Sequence, residues 1–216
     1  MNIISFSLWG NNPIYIIGAI KNAILAKEIY PNWICRFYID SIANNNINIK
    51  YLKLLDNTEI LFNDIVGDWT FNIKRFLPIV DKDVDCFISR DCDSRLSFRE
   101  KQAVDEWINS DKTFHIMRDH PFQFNYPILA GMFGSKKTSI NNNIFNDNIN
   151  QGHFSDQIFL QKYIYPLANY DCLIHDSTNQ QTGQPFSVPR YNKEFIGDSF
   201  DILDNRHPEY WKYINN

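Results

Sequence analysis

An α/β domain with a largely parallel sheet is the fold this sequence predicts, on three observations. Short apolar runs alternate with helical periodicity through the first 110 residues, the pattern of strands joined by crossover helices. The chain has 216 residues, 44% of them hydrophobic and 21% charged, which suits one soluble domain with a core of its own. No uninterrupted apolar run reaches the ~20 residues that span a bilayer.

The elements follow in order. NIISFSL reads as a first strand and PIYIIGAIKNAILAKEIY as a helix, with Pro13 in its first turn and Pro31 just past its end. WICRFYI is a second strand closed by Asp40, 47–55 a short helix, EILF a third strand and VDCFIS a fourth. Ser97 and Glu100 form an S-x-x-E capping box for a helix from 98 to about 109, whose buried stripe is Val104, Trp107 and Ile108. Beyond 110 the pattern loosens. FHIMR and ILAGMFG read as strands separated by DHPFQFNYP, SDQIFLQKYIY as a helix, DCLIH as a last strand, and the tail from 176 as polar loop. With no repeat and no linker, residues 1–216 are expected to be one domain, its nucleotide-binding half about 1–110 and its acceptor half about 111–216.

A formal net charge of −4 gives no electrostatic reason to expect nucleic acid or an anionic membrane. Cys35, Cys86, Cys92 and Cys172 contain no C-x-x-C pair, and MNIISFSLWGNNP has neither a basic start nor a signal-length apolar run. Free thiols and a cytoplasmic protein are expected.

The chemistry sits in CFISRDCDSRLSFRE, 86–100. Asp91 and Asp93, two residues apart after an apolar strand, point to one side of an extended chain, with Cys92 between them. Capping is already supplied by Ser97. An EF-hand loop fails, because position six is Leu96 and position twelve Gln102. A haloacid-dehalogenase-like phosphotransferase, with Asp91 as phosphoryl acceptor, also uses D-x-D, but after its first strand. The reading favoured is a hard divalent ion, Mg²⁺ or Mn²⁺, held by the two carboxylates and a nucleotide diphosphate at the carboxyl end of a strand. Arg90 and Arg95 flank the pair and can neutralise it or reach phosphate.

Together, SRDCDSRLSFREKQAVDEWINS, HIMRDHP, ILAGMFG, SDQIFL, CLIHDS and RHPEYW resemble the GT-A-fold, nucleotide-sugar-dependent glycosyltransferases, including those of large DNA viruses of the mimivirus and chlorovirus type. The resemblance runs from the first strand to the C-terminus. It implies a GT-A-type single domain with a Rossmann-like, mostly parallel sheet flanked by helices. It also implies hexosyl or deoxyhexosyl transfer from a UDP-sugar to a glycan or protein hydroxyl, with Mn²⁺ or Mg²⁺ at Asp91 and Asp93; if the protein is viral, it would act in the host cytoplasm. A late histidine often completes that site, and His175 matches. Ser7, Leu8 and Trp9 stand where such folds hold the nucleoside. Asp40 is a candidate for the uracil or ribose, or else a turn acid. Arg75 is a candidate for the diphosphate or else a surface arginine. Arg118 and Asp119 are candidates for sugar hydroxyls, with Asp119 also the second candidate catalytic acid or else a turn acid. Gly131 is a candidate for close backbone approach to a ligand or strand. Asp156 heads a helix, either supporting its N-terminus or, by the resemblance, standing near the sugar C1 as general base. A binding module without turnover is the non-enzymatic alternative.

Overall fold

The computed structural model describes residues 1–147, 149–150, 152–177 and 183–214. Seven strands form one sheet: β1 (Asn2–Leu8), β2 (Ile34–Ile39), β3 (Thr58–Phe62), β4 (Cys86–Ser89), β5 (Phe114–Arg118), β6 (Phe133–Lys136) and β7 (Cys172–Asp176). Their spatial order is β3-β2-β1-β4-β6-β5-β7. β6 runs antiparallel to both of its neighbours, and every other adjacent pair is parallel. This is the mostly parallel single α/β domain that the sequence predicts.

Alternation along the strands gives the sheet two apolar faces. Ile4, Phe6 and Leu8 of β1 join Cys35, Phe37 and Ile39 of β2 on one face, with Phe6 and Phe37 stacked at 4.8 Å. Helix α1 (Pro13–Ile29), capped by Asn12, packs there through Ala19, Ala23 and Ala26. On the other face Ile3, Phe87, Phe114 and Phe133 pack against Phe76 and Phe159. Strands covered on both faces are what a parallel sheet requires.

The layer also carries α2 (Ser41–Asn44), α3 (Ile49–Lys53), α4 (Phe98–Ile108) and α5 (Ser155–Phe159). α5 continues through a π-turn, Leu160–Ile164, into α6 (Tyr165–Ala168), so SDQIFLQKYIY is one helical run with a change of pitch. The Ser97 hydroxyl accepts from the Glu100 amide at 3.2 Å as the capping box predicts. The Glu100 carboxylate, however, turns inward to the Tyr30 hydroxyl (2.9 Å) and Arg90 Nε (2.7 Å), so only half of the box forms. ILAGMFG is a strand only from Phe133 on, because Leu129–Met132 makes a turn closed by a 3.0 Å backbone bond. A twelve-residue 3₁₀ segment, Trp69–Val80, was not legible in the sequence and carries Arg75. All four cysteines are free, and no described helix is long and apolar enough to cross a membrane.

Candidate active site

β1 and β4 are neighbours in register, Ser5 opposite Ser89, so their carboxyl ends open side by side. The Arg90 amide still donates to the Ser5 carbonyl at 3.1 Å, after which the chain leaves the sheet as Asp91-Cys92-Asp93. Ser94 closes the turn, its hydroxyl donating to the Asp91 carbonyl at 2.9 Å. From below, α1 supports the loop. Buried Asn22 donates to the carbonyls of Cys92 (3.3 Å) and Ser94 (2.8 Å) and accepts from the Leu96 amide (3.1 Å). Gly18 is needed for the approach, since a Cβ there would lie 2.0 Å from the Cys92 carbonyl oxygen. Neither residue carries a sequence signal beyond its place on a helix.

The loop faces a cleft of about 650 Å³ between the two halves of the chain. Of the candidate site residues, Ser7, Trp9, Arg75, Asp91, Cys92, Asp93 and Asp156 all line it. Tyr15, Trp69, Asn72, Gln157, Gly197 and Ser199 line it too and were not foreseen. Ser7 places the 3₁₀ segment: its hydroxyl donates to the Phe71 carbonyl (3.1 Å) and accepts from the Arg75 amide (3.0 Å). The Trp9 indole holds Asn72 at 2.9 Å.

Arg75 joins the halves. Its guanidinium, 5% exposed, donates through Nη1 to Asp91 Oδ1 and through Nη2 to Asp156 Oδ2. Asp156 Oδ1 accepts from the Gln157 amide at 2.8 Å, supporting the first turn of α5, while Oδ2 is turned to Arg75, so its two oxygens have separate partners. In the orientation that satisfies both ends of its amide, Gln157 donates to the Ile128 carbonyl (3.1 Å) and accepts from the Ala130 amide (3.3 Å), fixing the turn that carries Gly131. The close approach predicted for Gly131 is to Asp91: a Cβ would lie 1.9 Å from Oδ2.

The electrostatics of the two acids differ. Asp91 is paired with Arg75, whereas Asp93 has no ion pair among the described residues. Burial and the neighbouring Asp91 push the Asp93 carboxyl up to about 6, and burial with the same two acids raises the Tyr15 phenol. An acid held back in this way is short of a counter-ion. The donor set is oxygen only, which fits Mg²⁺ or Mn²⁺. No third His, Cys, Asp or Glu joins it among the described residues, so any further positions fall to water or ligand oxygens, as these ions accept.

Seven expected residues lie elsewhere. Leu8 is core, 1% exposed. Asp40 caps α2 through the Ala43 amide (2.7 Å) and ties down the amides of Gly10 (3.2 Å) and Gly67 (2.9 Å), fully buried and away from the cleft lining. Arg90 is buried against Glu100, and Arg95 is folded onto the Ser94 carbonyl (2.7 Å) and Asp204 (2.9 Å). Arg118 donates to the Pro127 carbonyl at 2.5 Å. Asp119, fully enclosed, receives two bonds from Arg99 (3.0 and 2.8 Å), one from Arg190 (2.8 Å) and one from the Ile196 amide (2.9 Å), and so anchors the tail. His175 is no metal ligand. It sits on edge strand β7, bonded to His115 and to Glu106 at 2.8 Å each. Three strand spacings, about 14 Å, separate β7 from β4.

No family model matches the chain, and no curated protein matches it in sequence. Solved structures do. The crystal structure of S. aureus TarS 1-349 superposes with a TM-score of 0.53 at 13% identity, over 82% of this chain and 58% of that one. A glycosyltransferase involved in the glycosylation of the major capsid of PBCV-1 gives 0.47 at 14% identity, over 81% of each chain. The galactosyltransferase LgtC, in complex with donor and acceptor sugar analogs, gives 0.47 at 12% identity, over 82% of this chain and 74% of that one. The likeness is one of fold: a single α/β domain of the GT-A type.

Proposed function

We propose that the chain is a metal-dependent glycosyltransferase that moves a hexosyl or deoxyhexosyl group from a UDP-sugar to a hydroxyl of a glycan or protein. One observation carries the reading: a single cleft gathers two neighbouring carboxylates, a buried arginine and a separately oriented third carboxylate. Asp91 and Asp93 would hold Mg²⁺ or Mn²⁺, which when bound supplies Lewis-acid stabilisation of the charge growing on a leaving diphosphate. Arg75 adds a fixed cation on the same side of the cleft. Asp156 is the only acid lining the cleft besides the pair among the described residues. Held by Arg75 through one oxygen and by an amide through the other, it accepts the acceptor hydroxyl's proton in a displacement that inverts the anomeric carbon.

A thermal-shift screen of nucleotide-sugars with and without Mn²⁺, followed by a UDP-release assay on whatever stabilises the protein, tests the reading. UDP should bind at least about tenfold tighter with Mn²⁺ than with EDTA, because the pair needs a cation before it tolerates a diphosphate. Calorimetry that gives one affinity in both buffers removes the metal–diphosphate assignment. Stabilisation without UDP release would leave a binding module.

A further inference from the structure

Arg75 is the only lysine or arginine that lines the cleft among the described residues, and it is committed in an unusual way. Nη1 serves Asp91 and, at 3.4 Å, the Arg90 carbonyl; Nη2 serves Asp156; Nε is buried without a partner. The oxygen of Asp91 that it holds, Oδ1, is one a metal would need. The other, Oδ2, lies over Gly131. A divalent ion and the guanidinium therefore compete for one carboxylate, and two cations a few ångströms apart repel each other. A nucleoside diphosphate changes the balance, since its own charges give both cations a ligand.

Resting on the metal–diphosphate reading of the cleft, we propose that Arg75 is the resident counter-cation of Asp91, which holds a divalent ion off until a nucleoside diphosphate enters and so makes metal and nucleotide bind cooperatively. Arg75 is then a positioning residue whose partner changes. Without nucleotide it bridges Asp91 and Asp156. With nucleotide it yields Asp91 to the ion, keeps Asp156 and turns its free bonding capacity to the diphosphate. The coupling is reciprocal, so UDP strengthens Mn²⁺ binding by the factor by which Mn²⁺ strengthens UDP binding.

Calorimetric titration of Mn²⁺, without UDP and with saturating UDP, tests this on wild type and Arg75→Met. Removing Arg75 alone leaves Asp156 buried without its cation, so Arg75→Met/Asp156→Asn, which removes both charges, is titrated beside it, each variant first checked by its melting curve. The expected result is that Mn²⁺ alone binds the variants about tenfold or more tighter than wild type, while with UDP present it does not tighten. Equal tightening with and without UDP would make Arg75 an ordinary field charge and overturn the proposal. So would an unchanged affinity for Mn²⁺ alone, with UDP still strengthening Mn²⁺ in wild type; both results leave the metal–diphosphate reading standing. Absence of Mn²⁺ binding in every protein, with or without UDP, overturns that reading as well.

Discussion

Gly131 works through what it lacks. Its backbone is not in the left-handed region, so alanine fits the chain there, yet its Cβ would meet Oδ2 of Asp91 at 1.9 Å and Cγ at 2.7 Å. Gly131→Ala must therefore turn the Asp91 carboxylate and loosen it from Arg75. UDP affinity in Mn²⁺ should fall, and transfer by about 10²-fold, the cost of misplacing a group by ~1 Å, while melting shifts by no more than a few degrees. Unchanged transfer in this variant would detach Asp91 from the chemistry. Asp156→Asn asks a separate question. Asparagine has one acceptor oxygen where aspartate has two, so it keeps either the Arg75 bond or the Gln157 amide bond. Tm should fall by about a few degrees, UDP affinity should hold, and transfer should fall by roughly 10²–10⁴. A rate within a few-fold of wild type returns Asp156 to structure.

Among the elements, strand ends and helix starts were the legible part. In an open α/β sheet ligands sit at the carboxyl ends of strands, which places Asp91 and Asp93 from the sequence alone, whereas Asp156 joins them there only through the family resemblance. Sharing an edge is not sharing a neighbourhood, and the order β4-β6-β5-β7 sends His175 to the far side. The 3₁₀ segment holds Pro78 near its end, a helix-breaking signal that masks its amphipathic pattern. Asp119 misled for another reason. Its arginine partners, Arg99 and Arg190, lie 20 residues before it and 71 after it, and no local pattern records them. Asp119→Asn should cost about 3–5 kcal/mol, and hence roughly 10 °C in Tm, because two arginines lose their buried anion. The KM for donor should not move. Wild-type stability in this variant would show that the tail is anchored elsewhere.

At the scale of the whole molecule, stability should depend on pH through a buried chain, His115–His175–Glu106. Burial lowers the value of His175 and, more strongly, that of His115, whose ring stacks on Trp107 at 5.3 Å. Unfolded imidazoles take up protons near pH 6.5, before the folded ones do. The contribution is thus fully present above about pH 6.5 and lost as pH falls below it. Asp93, pushed up to about 6, pulls the other way over the same window, so wild type is compared with His115→Gln. The variant should lose less Tm between pH 7 and 5 than wild type does. Parallel Tm curves would mean that the imidazoles do not set the acid limit.

The antiparallel strand has a consequence for how the protein is made. β6 joins β4 to β5, so the first four strands touch the last three only through it. During synthesis β4 carries an open hydrogen-bonding edge until residue 136 has left the ribosome, and the nascent chain has to fill that edge from a segment made after β5. An open edge of this kind pairs readily with other chains. The Asp91 loop therefore gains its second wall only after β6 has closed that edge.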